Sequence, residues 1–482
     1  MRDQTASSTD RCSLPQRLQR RWNDLCAEYL PVIDNDSIWR YSRTSAEGDL
    51  EQGWKLHVSA TIFNAPHILD RIAPVLVECG VQFKAARSLD DVLSLNSGLL
   101  KAYSQVGKII TVYPRNDDET IRLAECLHNL TYRFRGPLVP FDLRFRVTSN
   151  VYYRYGAFTK MELEQNGMHV QCVMTPRGEL VPDLRENPKP DWVADPFRAN
   201  CRDLKLREQK SPISSSYRVM RALVQRGKGG VYQAIDFQST PPRLCLLKEG
   251  RRHGELNWDG RDGAWRVRHE QRVLSRLSRC GIKVPRVYAR FEMDGNFYLA
   301  MEYISGESLY NFLQRQKRRL PMRKVLSFGI DIATLLAQMH GAGWAWRDCK
   351  PSNLIVSGNG HLVPVDFEGA ERTCRPDLSL WGTPGFMPRA SRAKTASGLT
   401  DDLYALGSLL FLLISGQMFD DTRPTPIGSL RRNVPVELRL VVESLLVAKP
   451  ERRPRAARVQ LELTSILSRC LRRVSPLPVP AA

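Results

Sequence analysis

The chain has no Cys-x-x-Cys pair among its 11 cysteines and no His/Cys cluster at metal-ligand spacing, which argues against a structural zinc site or a disulfide framework. It also lacks a long apolar run. Met1 to Arg20 is polar, without the apolar core of a signal sequence, and the most apolar helical stretch, Leu403 to Ile414, is too short to span a bilayer. A cytoplasmic protein with reduced thiols and no membrane partner is expected. Acidic residues are few, 51 Asp and Glu against 71 Lys and Arg, and the resulting charge of +20 predicts acidic partners such as nucleotides, phosphorylated peptides or acidic leader sequences. No helix-turn-helix, finger or RNA-binding signature directs that charge to nucleic acid, so nucleic acid is not an expected partner.

What is present fits two folded domains, since 482 residues exceed what one core serves and 42% apolar residues suffice for two. From Trp54 to Phe158, β-like runs (Trp54–Ala60, Lys108–Tyr113, Val151–Tyr155) alternate with helix-like ones (Pro66–Cys79, Asp118–Tyr132), the pattern of an α+β domain. Prolines between Pro176 and Ser216 forbid long helices and predict an extended connector. Beyond it, β-like segments (Tyr217–Ala234, Leu244–Glu249, Asn296–Tyr303) precede amphipathic helices (Met322–His340, Asp402–Ser415, Val436–Leu446). The expected division is an N-terminal extension over 1–33, a first domain over 34–198, a linker over 199–216, a second domain over 217–470 and a proline-rich tail over 471–482.

Arg347-Asp348-Cys349-Lys350-Pro351-Ser352-Asn353, followed by an apolar strand and Val365-Asp366-Phe367-Glu368, resembles the catalytic loop and metal-binding segment of protein kinases. Phosphoryl transfer needs a carboxylate to take the attacking hydroxyl's proton, which suits Asp348, and oxygen ligands for Mg²⁺, which suit Asn353 and Asp366. Lys350 would steady the transferred group. Lys248 resembles the strand lysine that grips the α- and β-phosphates, with Glu270 placed as its helix partner. Gly227, Gly229, Gly230 and Val231 resemble the loop over the nucleotide, although Val224 and Arg226 occupy its first two glycine positions, and a plain glycine-rich hairpin is the other reading. Gly382-Thr383-Pro384 resembles the end of an activation segment. Three departures, Trp346 for the customary His, Glu368 for Gly and no Glu after Pro388, bear on control of that segment more than on catalysis. The resemblance implies a bilobal kinase domain using ATP or another nucleoside triphosphate with Mg²⁺.

In the first domain, Lys55 and His57 stand two apart in a β-like run and so share one face. Together with Val81-Gln82-Phe83-Lys84, Val106-Gly107-Lys108 and Val151-Tyr152-Tyr153-Arg154, they resemble the lyase domain of class III and IV lanthipeptide synthetases, itself similar to phosphothreonine lyases. The resemblance implies that Lys55 is the base and His57 the acid in eliminating phosphate, with Lys84, Lys108, Arg154 and Arg144 binding the phosphate or stabilising the enolate-like transition state. Neighbouring cations would keep Lys55 neutral. The fold expected is thus α+β, a phosphothreonine-lyase-like domain followed by a protein-kinase-like one.

The function expected is a bifunctional dehydratase that phosphorylates Ser/Thr of a ribosomal precursor peptide bearing a leader, then eliminates the phosphate to leave dehydroalanine or dehydrobutyrine. Because the chain stops soon after the kinase segment and has no Cys/His zinc constellation, ring closure is expected from a separate cyclase or tailoring enzyme, or not at all. Two other functions compete: a Ser/Thr kinase with a non-catalytic regulatory N-terminal domain, and a scaffold that holds a leader peptide.

Overall fold

The first described element is a helix, and its sequence explains why it is not a loose extension. In the computed structural model, which describes residues 13–35, 37–99, 102–165, 167–197, 216–374, 381–388 and 398–472, α1 spans Leu14–Tyr29. Gln16 Oε1 accepts from the Ser13 N–H at 2.9 Å and so closes the helix start. Leu18, Trp22, Leu25 and Cys26 recur at helical spacing and are buried in the same core as the sheet that follows, each large apolar side chain contributing about 2 kcal/mol. The Trp22 indole donates to Ala86 O at 3.2 Å. Setting residues 1–33 apart as an extension is therefore corrected from Leu14 onward: its polar face hid the buried stripe.

Seven strands make the first sheet: β1 Val32–Ile33, β2 Trp39–Tyr41, β3 Gln52–Val58, β4 Gln82–Ala86, β5 Ile110–Tyr113, β6 Leu143–Arg144 and β7 Val151–Ala157. Their order is β1-β2-β4-β5-β3-β7-β6, and every pairing is antiparallel. Three helices accompany it: α2 Ala65–Glu78, α3 Leu89–Ser97 and α4 Asp117–Thr131. Ser88 and Asn116 cap α3 and α4 by accepting from the N–H groups of Asp91 and Glu119. Alternate residues of the central strands, such as Leu56, Val58, Phe83 and Val112, go into the core beneath the helices, leaving the intervening positions for the opposite face. The expected α+β domain is present, with its strands and helices within a few residues of the predicted runs.

Strands β8 Glu162–Gln165, β9 Met168–Met174 and β10 Leu180–Pro182 form a small antiparallel sheet, of which β10 lies inside the predicted connector region. The linker expected over 199–216 and the tail over 471–482 lie almost wholly outside the described residues.

The second family of elements opens with a hairpin, β11 Tyr217–Arg226 and β12 Gly229–Asp236, followed by β13 Arg243–Gly250, helix α5 Gly263–Arg279, β14 Val287–Met293 and β15 Asn296–Glu302, in the sheet order β11-β12-β13-β15-β14. Then come the helices α6 Met322–Gly341, α7 Gly398–Ser415, α8 Val436–Leu446 and α9 Ala456–Arg472. α7 extends beyond the apolar run Leu403–Ile414 and by length and composition could cross a membrane, but 72% of it is buried inside the protein, as in a core helix. The chain forms two compact units: the first runs to Arg243 and includes Lys248–Arg266 and Phe291–Tyr298, and the second holds Leu244–Leu247, Val267–Arg290 and the described chain from Leu299. The first unit therefore reaches past the boundary expected near Tyr217.

Candidate functional sites

On one face of the first sheet the strand register gathers cations. Lys55 stands opposite Arg154, His57 lies between Thr111 and Tyr152, and Lys84 is opposite Thr111. Because i and i+2 residues of a strand face the same way, this register alone puts Lys55, His57, Lys84 and Arg154 on a common face. They line a pocket of about 280 Å³ with Lys108, Tyr113, Phe158, Lys160 and Arg185. Five of the six basic and acid–base residues expected in this domain thus converge. The sixth does not: Arg144 turns its Nε to Ser149 O at 2.7 Å and lies over the Tyr152 ring. On the short edge strand β6 its Nε is engaged by a backbone carbonyl, and it is not among the residues that line the pocket. Arg185, from the segment read as a mere connector, lines the pocket instead.

A buried carboxylate organises the pocket. Asp142 Oδ2 lies 2.6 Å from His57 Nδ1, and its Oδ1 accepts from Lys108 Nζ at 2.8 Å. Burial opposes its ionisation, yet His57 and Lys108 outweigh burial and hold its carboxyl well below the usual range. An ionised carboxylate only accepts, so the imidazole proton sits on Nδ1 and Nε2 faces the pocket. Burial, with Lys108 and Lys55 nearby, pushes His57 down to about 3 against the pull of Asp142. In a second pair, Arg154 Nη2 donates to Asp183 Oδ1 at 2.5 Å, and both side chains are buried.

The two lysines differ in surroundings. Lys55 Nζ, Arg154 Nε and Asp183 Oδ2 lie 3.7, 3.8 and 3.1 Å from the point where a Cβ on Gly156 would sit, so Lys55 belongs to the arginine cluster. Burial first, then Lys84 and Arg185, depress its pKa well below the ordinary value. Lys84 Nζ is instead enclosed by aromatic rings, 4.4 Å from the centre of Trp39, 5.6 Å from Tyr41 and 5.9 Å from Tyr113. Burial and Arg185 lower it to about 8. Lys108 is lowered by burial despite its carboxylate partner. A pocket lined by more basic side chains than the two carboxylates, Asp142 and Asp183, that pair with them suits a phosphate dianion.

Asp142→Asn should weaken any reaction here that uses Nε2 of His57, because the amide no longer fixes the tautomer and Lys108 loses its counter-charge. The expected loss is on the order of 10-fold to 100-fold, as for other partners that orient a reacting histidine, read as a fall in kcat with a displaced pH profile.

The second centre lies in the second unit. Asp348 Oδ2 pairs with Lys350 Nζ at 2.8 Å and accepts from Asn353 Nδ2 at 2.9 Å, while its Oδ1 accepts from Thr383 Oγ1 at 2.9 Å. Lys350 Nζ also donates to Thr383 Oγ1 at 2.9 Å. Asp348, Lys350 and Asn353 meet as expected. Thr383, quoted only as part of a segment end, proves to touch both charged residues. Arg347 and Asp366 have φ of 68° and 66°, a left-handed backbone uncommon outside glycine.

Trp346, the departure from the customary His, has a function visible in its contacts. Its Nε1 donates to Asp366 O at 3.0 Å, its ring stacks on Phe367 at 5.5 Å, and its backbone N–H donates to buried Asp402 at 2.8 Å. The indole thus ties the catalytic loop to the Asp366 segment. Glu270, fully buried on α5, accepts from Phe367 N at 3.1 Å. Lys248 lies on β13, and Gly227, Gly229, Gly230 and Val231 lie at the turn and start of β12. The amide and carboxylate oxygens of Asn353 and Asp366 are the hard donors that Mg²⁺ takes.

Residues 227–476 match the protein kinase domain, and residues 31–209 match the RamC N-terminal domain. The chain belongs to the protein kinase family through its C-terminal half, joined to a RamC-type N-terminal domain, the arrangement of class III-like lanthipeptide synthetases. It is 32% identical to the probable SapB synthase of Streptomyces coelicolor over 76% of this chain and 40% of that protein. It is also 26% identical to the serine/threonine-protein kinase PknA of Nostoc over 52% of this chain and 47% of that one. With the serine/threonine-protein kinase F of Synechocystis it shares 27% identity over 50% of each. The chain therefore spans about two-fifths to half the length of these relatives.

Proposed function

We propose that the chain is a cytoplasmic peptide dehydratase of lanthipeptide-type biosynthesis that phosphorylates Ser/Thr side chains and then eliminates the phosphate. The observation that carries this reading is the cationic pocket around His57, which a regulatory or scaffolding domain would not require. In the kinase centre, Asp348 accepts the proton of the attacking hydroxyl and Lys350 steadies the phosphoryl group. ATP with Mg²⁺ would be held by Lys248, Asn353 and Asp366, and the metal would offset charge on the phosphates.

In the pocket, Lys55, Arg154, Arg185 and Lys108 receive the phosphate dianion. Burial first, then Lys108 and Lys55, keep the proton off His57 in the empty pocket, and the charge of the bound dianion, added to that of Asp142, favours protonation of Nε2 when substrate binds. A lysine removes the α-proton, the Cα–Cβ double bond forms, the Cβ–O bond breaks, and His57 Nε2 protonates the departing phosphate oxygen. Of the two lysines, Lys84 fits the base best, because its Nζ stands among the rings of Trp39, Tyr41 and Tyr113, where burial opposes its charge. Lys55, the base in the sequence reading, is the second candidate on the strength of its larger depression. Its place beside Arg154 favours phosphate binding.

A pre-phosphorylated threonine peptide, given to the protein without nucleotide, separates these assignments. Free phosphate and an unsaturated peptide are expected. Lys84→Ala should lower kcat on the order of 100-fold or more, as for loss of a general base, and Lys55→Ala should mainly raise KM. The opposite pattern would return the base to Lys55. Hydrolysis to free threonine, or no reaction at all, would overturn elimination. The precursor peptide, its leader and any separate cyclase are the partners this reading implies.

A further inference from the structure

The turn of the glycine-rich hairpin is held by the N-terminal domain. β11 and β12 are joined through Gly227 and Lys228, with Arg226 paired to Gly229. The Gly227 N–H donates to Ser97 O, at the last residue of α3, at 2.9 Å. A Cβ at Gly227 would overlap the carbonyl oxygen of Asn96, so this close approach requires glycine. On the other side of the turn, Arg251 N donates to Lys228 O at 2.8 Å and Arg251 Nη1 to Arg226 O at 3.1 Å. The same guanidinium lies 5.0 Å from the ring centre of Tyr103.

The connector that begins at Arg251 is anchored in the same way. Trp258 meets Phe63 edge-on at 5.5 Å and packs against the N-terminal core. The connector then runs straight into α5, the helix that carries Glu270. All these contacts lie within the first compact unit. Asn96, next to Ser97, also donates to Ala60 O at 2.9 Å and accepts from Gly107 N at 3.2 Å, so the end of α3 braces the segment leading to Lys108.

A kinase transfers phosphate only when the loop over the nucleotide and the helix bearing the glutamate partner of the strand lysine are both in place. The geometry points to the N-terminal domain as a positioning element of the kinase, with Ser97, Tyr103 and Phe63 holding the nucleotide loop and its connector through Gly227, Arg251 and Trp258. The inference rests on the kinase reading of the C-terminal half and is independent of elimination. It implies coupling: nucleotide affinity depends on contacts made by a domain whose own chemistry lies elsewhere.

The test uses the full chain and two assays. Initial rates of peptide phosphorylation are measured against ATP concentration, and phosphate release from a pre-phosphorylated peptide is measured without nucleotide. Trp258→Ala should raise the KM for ATP about ten-fold, within the range of ordinary coupling between sites, and leave elimination unchanged. Trp258→Phe, which keeps an aromatic edge for Phe63, should restore the wild-type KM. Unchanged ATP kinetics in Trp258→Ala would overturn the inference. So would a parallel fall of both activities in Trp258→Ala and in the milder Phe63→Leu, which would mark a shared folding defect. A wild-type chain that phosphorylates nothing would instead defeat the kinase reading itself.

Discussion

His57→Ala is expected to turn the protein into one that installs phosphate and cannot remove it. The imidazole is buried with Nδ1 committed to Asp142, so Nε2 is the proton donor the pocket presents to a leaving group. Losing a general acid costs on the order of 100-fold to 10,000-fold, and phosphate is a poor leaving group without a proton, so the upper part of that span applies. Phosphorylation should proceed at the wild-type rate, because the substitution leaves Asp348, Lys350, Asn353 and Thr383 with the partners they have. Phosphopeptide should therefore accumulate in the presence of ATP and Mg²⁺, visible as stable mass increments. Continued water loss by this variant would remove His57 from the mechanism.

Asp348→Asn should give the reverse phenotype. The carboxylate accepts from Asn353 and Thr383 and pairs with Lys350, and an amide of the same shape can keep part of that network but cannot take a proton from the attacking hydroxyl. Phosphorylation should fall by about 100-fold to 10,000-fold. The same variant should still release phosphate from a peptide phosphorylated in advance. Mixing it with His57→Ala should restore dehydration in trans, since each variant retains one centre. Failure of the mixture with both single activities intact would mean that the phosphopeptide is never released between steps.

The two predictions rest on residues that differ in how plainly the sequence announces them. Asp348, Lys350 and Asn353 lie within six consecutive positions, so their meeting follows from one loop. Lys55 and His57 share a face because strands repeat every two residues. Lys84, Lys108 and Arg154 needed the family resemblance to be gathered, and the strand register explains why they meet. Asp142 stayed invisible, although it stands two residues before Arg144, because its partner His57 is 85 residues away and only folding brings them together. Arg185 was hidden by a proline-rich stretch that reads as a spacer. Arg144 lies apart from the pocket lining for the opposite reason: nothing in a linear pattern distinguishes an arginine that lines a pocket from one whose Nε meets a backbone carbonyl. The anchoring of Trp258 on Phe63 was equally unreadable, since it joins what the sequence divides into separate domains.

The most direct measurement follows one Ser/Thr-rich peptide by mass over time with wild-type protein, ATP and Mg²⁺. Two centres working in turn predict phosphate increments that rise early and then decay into the loss of one water per modified residue, with inorganic phosphate released in step. Phosphate increments that persist to the end of the reaction would contradict the account and leave a kinase whose cationic pocket does something other than elimination.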